Sequence, residues 1–427
     1  MPAMIIDRQQ DSVTIQIQVS LSRSMLDTEV ALQQTLNEAG VLATSAALQY
    51  FDTEGTPLQM GETLWYSKGQ QPCTYQTPYG ETVVERHVYQ TATGGATFCP
   101  LERDARIILT STPRFAQQIS NKYAEMAGGR VVRDLTRNHR RKVSLAFVQD
   151  LSGVVAGAVQ AKEETWHYAT PKLDAAVRTV SIGVDGSCLL QVDEGGREVM
   201  VGTVSLYDCQ GEHLHTLYVA APPEYGKEQF FRRLDREIAQ VRTLYPRAAY
   251  TGVADGAADN WTYLERHTES QCVDFQHAVS YVRRAAKAAC PRRVAEREEW
   301  VADWCHRLKH ESGAAQQFVA ELQRLEATGL AEAHQEDLQA ALTYFTNHQH
   351  QMNYATRVAA HLPIGSGVTE AACKTIVKMR MCRSGAKWKT AGAGVVLSLR
   401  TLSYTEGRWE QFWDKIDQYG FPIAMAV

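Results

Sequence analysis

Two short apolar runs constrain this chain more than anything else in it. Thr179-Val180-Ser181-Ile182-Gly183-Val184 leads into Asp185-Gly186, and Tyr250-Thr251-Gly252-Val253-Ala254 leads into Asp255-Gly256. Runs of this length, rich in β-branched residues and closed by an Asp-Gly turn signal, read as sheet strands that each end in a carboxylate. A third acid, Glu370, follows Gly365-Ser366-Gly367 and opens a basic helical stretch. Singly, each acid has an ordinary explanation: Asp before Gly is often a turn residue, and a helical Glu is usually solvated. Two strand-end aspartates and one helical glutamate in this order form a more specific pattern.

The segments around these acids differ in character. Residues 1–111 read as a small mixed region of short strands, with turn signals at Asp52-Thr53-Glu54-Gly55-Thr56-Pro57 and Thr93-Gly94-Gly95. Cys73 and Cys99 flank an alternating run that contains His87, as in a degenerate zinc ribbon. A tetrahedral site needs four ligands, so two buried reduced cysteines are expected rather than zinc. Residues 112–161 read as three short helices: Pro113 to Met126, a break at Gly128-Gly129, Arg130 to Arg137, then Val143 to Ala161. Arg130, Arg133, Arg137, Arg140, Arg141 and Lys142 gather at the joints. This suits a helix-turn-helix DNA reader with phosphate contacts; a helical bundle with a solvated basic face is the plainer alternative. Residues 162–178, with Pro171, read as a linker.

From residue 179 the order becomes three strands, helix, strand, helix, strand. The strands are expected at Asp185, at Val199 to Leu206, at His213 to Val219, before Asp255, and at Cys272 to Phe275. That order is the order of a ribonuclease-H-like α/β core, in which the first and fourth strands lie side by side. Residues 179–277 would be its first part, 278–360 an all-helical insertion, and 361–427 its last part with C-terminal helices. Trp409, Phe412, Trp413 and Ile416 share one helix face and are expected to pack.

The chemistry that fits three carboxylates is phosphodiester cleavage. Two Mg²⁺ ions, with Mn²⁺ able to replace them, sit roughly 3.5–4 Å apart in such sites and take hard oxygen ligands. Asp185 is expected to bridge the ions, with Asp255 on one and Glu370 on the other. Lys374 and Lys378 follow Glu370 at helical spacing, and Arg380, Arg383, Lys387, Lys389 and Arg400 continue the basic stretch, which suits a phosphate backbone. The net charge of -4 rules out a uniformly basic coat, so any nucleic-acid surface is local. Nine scattered cysteines suit a reducing cytoplasm, and neither a secretory signal nor a membrane span is expected. Two further patterns are weaker. His306 and His310 near Asp303 have zinc-compatible spacing but lack a third convincing ligand, and Trp300 and Trp304, which would suit stacking on a flipped base, have core or interface packing as the plainer reading.

Several strings resemble one family. Pro363-Ile364-Gly365-Ser366-Gly367-Val368-Thr369-Glu370-Ala371-Ala372-Cys373-Lys374 looks like the last catalytic motif of the ISKra-type insertion-sequence transposases, which are DDE enzymes. Arg408-Trp409-Glu410-Gln411-Phe412-Trp413 resembles their C-terminal signature, and Val184-Asp185-Gly186 and Ala254-Asp255-Gly256 match their aspartate motifs. Asp274-Phe275-Gln276-His277 is similar to the DxxH element that several DDE groups carry, which makes Asp274 and His277 accessory residues. His277 would orient a phosphate or the catalytic strand, with packing as the alternative for the pair. The resemblance covers about residues 179–416 and is weaker before that. It implies binding of terminal inverted repeats, nicking to free 3′-hydroxyls and strand transfer into target DNA. It further implies a homo-oligomer on double-stranded DNA in the bacterial cytoplasm, at the nucleoid. A catalytically silent DNA-binding derivative and another ribonuclease-H-like nuclease are the competing readings.

Overall fold

Alternating residues at the N-terminus pair as an antiparallel hairpin, β1 (Ala3–Arg8) with β2 (Val13–Ile17). The structure, a computed structural model, describes residues 2–256, 258–327, 332–383 and 385–422. After the hairpin comes α1 (Met25–Tyr50), a helix of 26 residues where short strands were expected. Ser24 caps it by accepting from the Asp27 N–H. β3 (Leu58–Met60), β4 (Thr63–Gln76) and β5 (Glu81–Thr91) then form an antiparallel meander, followed by α2 (Pro100–Asp104). Tyr75, Val84, Cys99 and Leu101 build its core, and Cys73 packs against them. His87 is engaged elsewhere: its Nδ1 lies 3.0 Å from Asp52 Oδ2.

The three expected helices follow as α3 (Pro113–Glu125), α4 (Gly128–His139) and α5 (Leu145–Ala161), packed on one another. Gly128-Gly129 starts the second helix rather than merely separating two. Arg130, Arg133, Arg137, Arg140 and Lys142 are exposed. Arg141 is not: its Nε donates to Thr77 O at 2.9 Å and its Nη2 to Gln76 Oε1 at 2.6 Å, over the Phe115 ring. The expectation that Arg141 meets phosphate fails, because its donors are taken up inside the protein.

The second compact unit begins at Thr170. It holds β6 (Thr179–Gln191), β7 (Gly195–Tyr207), β8 (His213–Ala221), α6 (Glu228–Leu244), β9 (Ala249–Ala254), α7 (Ala258–His267) and β10 (Ser270–Val273). Sheet order is β10-β9-β6-β7-β8, with β6 parallel to β9 and antiparallel to β7. β6 is buried on both faces up to Val184 and runs past Asp185 to Gln191, because its pairing with β7 continues to Gln191↔Gly195. Asp185 is therefore within a strand, not at its end. What ends near it is the pairing with β9, whose last pair is Gly183↔Val253.

The helical stretch comprises α8 (Phe275–Ala289), α9 (Val294–His310), α10 (Ala314–Ala327), α11 (Glu332–His348) and α12 (Tyr354–Ala359); residues 328–331 of it lie outside the described residues. Trp304 packs edge-on to Phe318 at 4.8 Å, and Trp300 lies 5.7 Å from the same ring, so both tryptophans serve the core. His306 and His310 are exposed, while Asp303 faces Arg307 at 4.0 Å. α13 (Gly367–Ala372) passes through a π-helical turn, Cys373–Lys378, into α14 (Met379–Met381), and α15 (Thr390–Tyr404) and α16 (Arg408–Tyr419) complete the chain. Ser398–Ser403 and the residues from Gly407 on group with the first unit, not with the core as expected. Among the described residues, no helix is long and apolar enough to cross a membrane.

Arg141→Ala strands one buried and one part-buried acceptor and should cost about 1–3 kcal/mol. Urea denaturation monitored by tryptophan fluorescence checks this; a loss under about 0.5 kcal/mol would show that Arg141 is not a structural tie.

Candidate active site

Parallel pairing sets the first two acids side by side. The β6–β9 register that pairs Thr179 with Ala249 and Gly183 with Val253, carried two residues further, puts Asp185 level with Asp255. Both carboxylates are half-buried. Asp185 accepts from the Gly186 N–H at 2.7 Å. Beyond Asp255 the chain turns at Gly256, with φ +111°, and the Asp255 carbonyl accepts from Tyr344 Oη at 3.1 Å.

Glu370 arrives from α13 through close packing on the sheet. Thr203 and Thr369 share a hydroxyl hydrogen bond of 2.7 Å. A Cβ on Gly183 would fall 1.9 Å from Thr369 Oγ1, so only glycine lets α13 approach β6 there. The loop before α13 is held by Arg357, buried on α12, which donates to Pro363 O at 2.9 Å and to Thr251 Oγ1 at 2.6 Å.

Asp274 sits at the centre of this arrangement, 1% exposed. It caps α8: Oδ1 accepts from the His277 N–H at 2.7 Å. Its Oδ2 accepts from the Ser366 N–H at 2.5 Å and from Ser366 Oγ at 2.9 Å. Ser366 Oγ also lies 2.9 Å from Glu370 Oε1; with one hydroxyl proton it serves one carboxylate at a time. His277 Nδ1 is 3.3 Å from Asp274 Oδ1 and 3.8 Å from Glu370 Oε1. Ligand atoms of Asp274, His277 and Glu370 all lie within 4.8 Å of one another. β10 thus stops at Val273, short of the expected Phe275, and Asp274 opens α8.

Electrostatics joins Asp185 and Asp255 to this group. Burial pushes the Asp185 carboxyl up, and the charges of Asp255 and Glu370 push the same way, against hydrogen bonds from the Cys373 thiol and the Gly186 N–H. Burial and the Asp185 charge raise the Cys373 thiol. The bond to Asp274 raises His277, helped by the charges of Asp274, Asp255 and Glu370. Burial pushes Asp274 up, but hydrogen bonds from His277 and Ser366 prevail and hold it at about 2. The result is a cluster of hard oxygen donors and like charge with one imidazolium-prone histidine, which is suited to divalent cations.

Lys374, Lys378, Arg383, Lys387 and Lys389 are exposed in the stretch after Glu370. Arg380 is buried against the Trp388 ring at 5.3 Å. Arg400 is buried too, donating to Ala124 O at 2.6 Å. Neither presents a cation to a phosphate backbone. The π turn breaks the spacing by which Lys374 and Lys378 were placed on the Glu370 face, because it winds with i→i+5 bonds. Ser366, Arg357, Cys373 and Tyr344 had no role in the sequence reading. Ser366 and Cys373 stood inside the quoted motif; nothing marked Arg357 or Tyr344. No family model matches the chain, and no curated protein is similar to it.

Because Asp274 is depressed on folding, its contribution is present above the ordinary carboxylate range and is lost as pH falls from about 4 towards about 2. Asp274→Asn should be less stable by about 2 kcal/mol near neutrality, with the gap to wild type closing across that window. Denaturant titrations at several pH values read this. A gap independent of pH would mean that the Asp274 charge is not what the hydrogen bonds stabilise.

Proposed function

We propose that the chain is a DDE transposase of the ISKra type, built on a ribonuclease-H-like core, which cleaves and joins DNA strands. The observation that carries this reading is that the β6–β9 register sets Asp185 level with Asp255, with Glu370 of α13 near enough for its charge to act on Asp185, in a sheet ordered β10-β9-β6-β7-β8. The sheet order supports the ribonuclease-H-like reading, since the first and fourth strands of the unit are neighbours. The helices between β10 and α13 stand where the insertion of such an enzyme would be.

Asp185, Asp255 and Glu370 are the residues that would hold two Mg²⁺ ions, or Mn²⁺ in their place, and their all-oxygen donor set fits these metals. Bound there, the ions would activate the attacking water or 3′-hydroxyl and stabilise the leaving oxygen. The chain's own residues do the rest. Asp274 and Ser366 fix the start of α13, and with it the Glu370 carboxylate. His277, favoured in its charged form, can face a phosphate oxygen from beside Glu370. Exposed Lys374 and Lys378, on the segment that follows Glu370, pair with the backbone of the bound strand. Arg130, Arg133 and Arg137 recur on one face of α4, away from buried Val131 and Leu135, and pair with duplex phosphates.

Cleavage of a labelled duplex carrying the element's own end, with Mg²⁺, tests the chemistry. Asp185→Asn should slow cutting at the element boundary by about a hundredfold or more, since metal stabilisation of the transition state is worth several kcal/mol. Cutting that survives the change would place the active site elsewhere, and binding without cutting by either protein would favour the silent derivative.

The duplex-binding face has its own readout. Arg133→Ala and Arg137→Ala should each reduce the slope of log affinity against log salt by about 0.9, without altering base preference. Arg141→Ala should leave that slope unchanged. Equal slopes for all these proteins in fluorescence anisotropy would remove α4 from the interface.

A further inference from the structure

The longest helix of the first unit turns its apolar residues outward. α1 buries Thr28, Thr35 and Leu48. Met25 is 68% exposed, Leu32 42%, Leu36 49% and Tyr50 66%. These four belong to one seam, Met25-Glu29-Leu32-Leu36-Ala39-Ala43-Ala46-Tyr50, in which steps of four and three residues alternate from end to end. That is the heptad spacing of a coiled-coil contact, sustained along a helix about 38 Å long. A solvated helix has no need of it.

The seam is polarised. Its N-terminal half carries large side chains and its C-terminal half carries alanines. The alanines do not lie on a flat surface. Ala43 and Ala46, with Ala47, form one wall of a groove of 460 Å³ whose other wall is the turn of the β1–β2 hairpin. Asp27 and Glu29 stand in the N-terminal half of the helix, and Arg8 lines the groove together with Asp11, its Nη1 3.3 Å from Gln49 Oε1.

We propose that α1 is a self-association surface, on which a second copy of this chain docks its own α1 antiparallel. A two-fold axis near Asn37 and Glu38 makes the seam its own complement. Met25 then meets Tyr50 of the other copy, Leu32 meets Ala43, Leu36 meets Ala39, and Glu29 meets Ala46, beside Arg8. Large residues fill the places where small ones leave room, on both sides at once, as an isologous interface requires. Each Glu29 carboxylate reaches the Arg8 guanidinium of the other copy. A parallel pair would set leucine against leucine, leave the two alanine grooves facing each other empty, and bring Glu29 against Glu29. The proposal stands apart from the DNA chemistry proposed above and holds for the chain without DNA.

Sedimentation equilibrium of the full chain, free of DNA, is the test. Wild type should be a dimer at micromolar concentration. Leu32→Glu with Leu36→Glu should be a folded monomer, since both side chains are exposed in the free chain and the far-UV circular dichroism should not change. Arg8→Glu and Glu29→Arg should each weaken association about threefold or more, and the double reversal should restore it. A monomeric wild type, or a dimer that survives the paired Leu→Glu changes, would overturn the proposal. Failure of the double reversal to restore association would overturn the antiparallel register.

Discussion

The site depends on how one buried carboxylate is satisfied. Asp274 has almost no access to water, and a buried charge without partners costs several kcal/mol. Its partners come from two places: the first turn of α8 and the Gly365-Ser366-Gly367 loop. Asp274 directly follows β10, which pairs with β9, the strand that leads into Asp255. Ser366 lies four residues before Glu370. Satisfying Asp274 therefore draws the Glu370 helix towards the place where the β6–β9 pairing stops, beside Asp255 and Asp185. The second hold, Thr369 on Thr203 over Gly183, fixes the height of that helix above β6.

Against this stands the repulsion that the same packing creates. Asp185 is pushed up by burial and by its two acidic neighbours, against hydrogen bonds from a thiol and an N–H. Packing that brings like charges together in a partly dry place is not what stability alone would select. His277, raised by its neighbours, belongs to the cluster itself beside Glu370, and Lys374 and Lys378 are exposed on the segment that follows. A chain of net charge -4 thus keeps a run of exposed lysines beside its acidic cluster, which is a matter of distribution rather than sum.

Much of this was legible in the sequence, and the failures have physical causes. The strand and helix order of the second unit, and the three acids within it, followed from local pattern. The length of β6 did not, because its last residues are held by β7 across the sheet and not by their own propensity. α1 escaped notice because it buries threonines and exposes leucines, the reverse of the usual amphipathic signal. Arg141, Arg380 and Arg400 read as surface cations because a sequence displays a charge but not the carbonyl or ring that absorbs it. The π turn after Glu370 has no local signature, and it breaks the helical spacing from which the face of the two lysines had been reckoned.

The helices between β10 and α13 are tied to the site at both ends. Their first residues are capped by Asp274. Near the other end, Tyr344 on α11 donates to the Asp255 carbonyl, and His348 stands 3.3 Å from where a Cβ on Gly256 would be. Tyr344 also stacks on Tyr281 of α8, ring centroids 3.9 Å apart and nearly parallel. The first and the fourth long helix of this segment are thus clamped together directly above the turn that aims Asp255. A tight interior moves as a unit. Displacing α11 against α8 would shift the Asp255 turn and, through Asp274 and Ser366, the approach of Glu370. The segment is better understood as a support for two of the three acids than as an addition hung from the sheet.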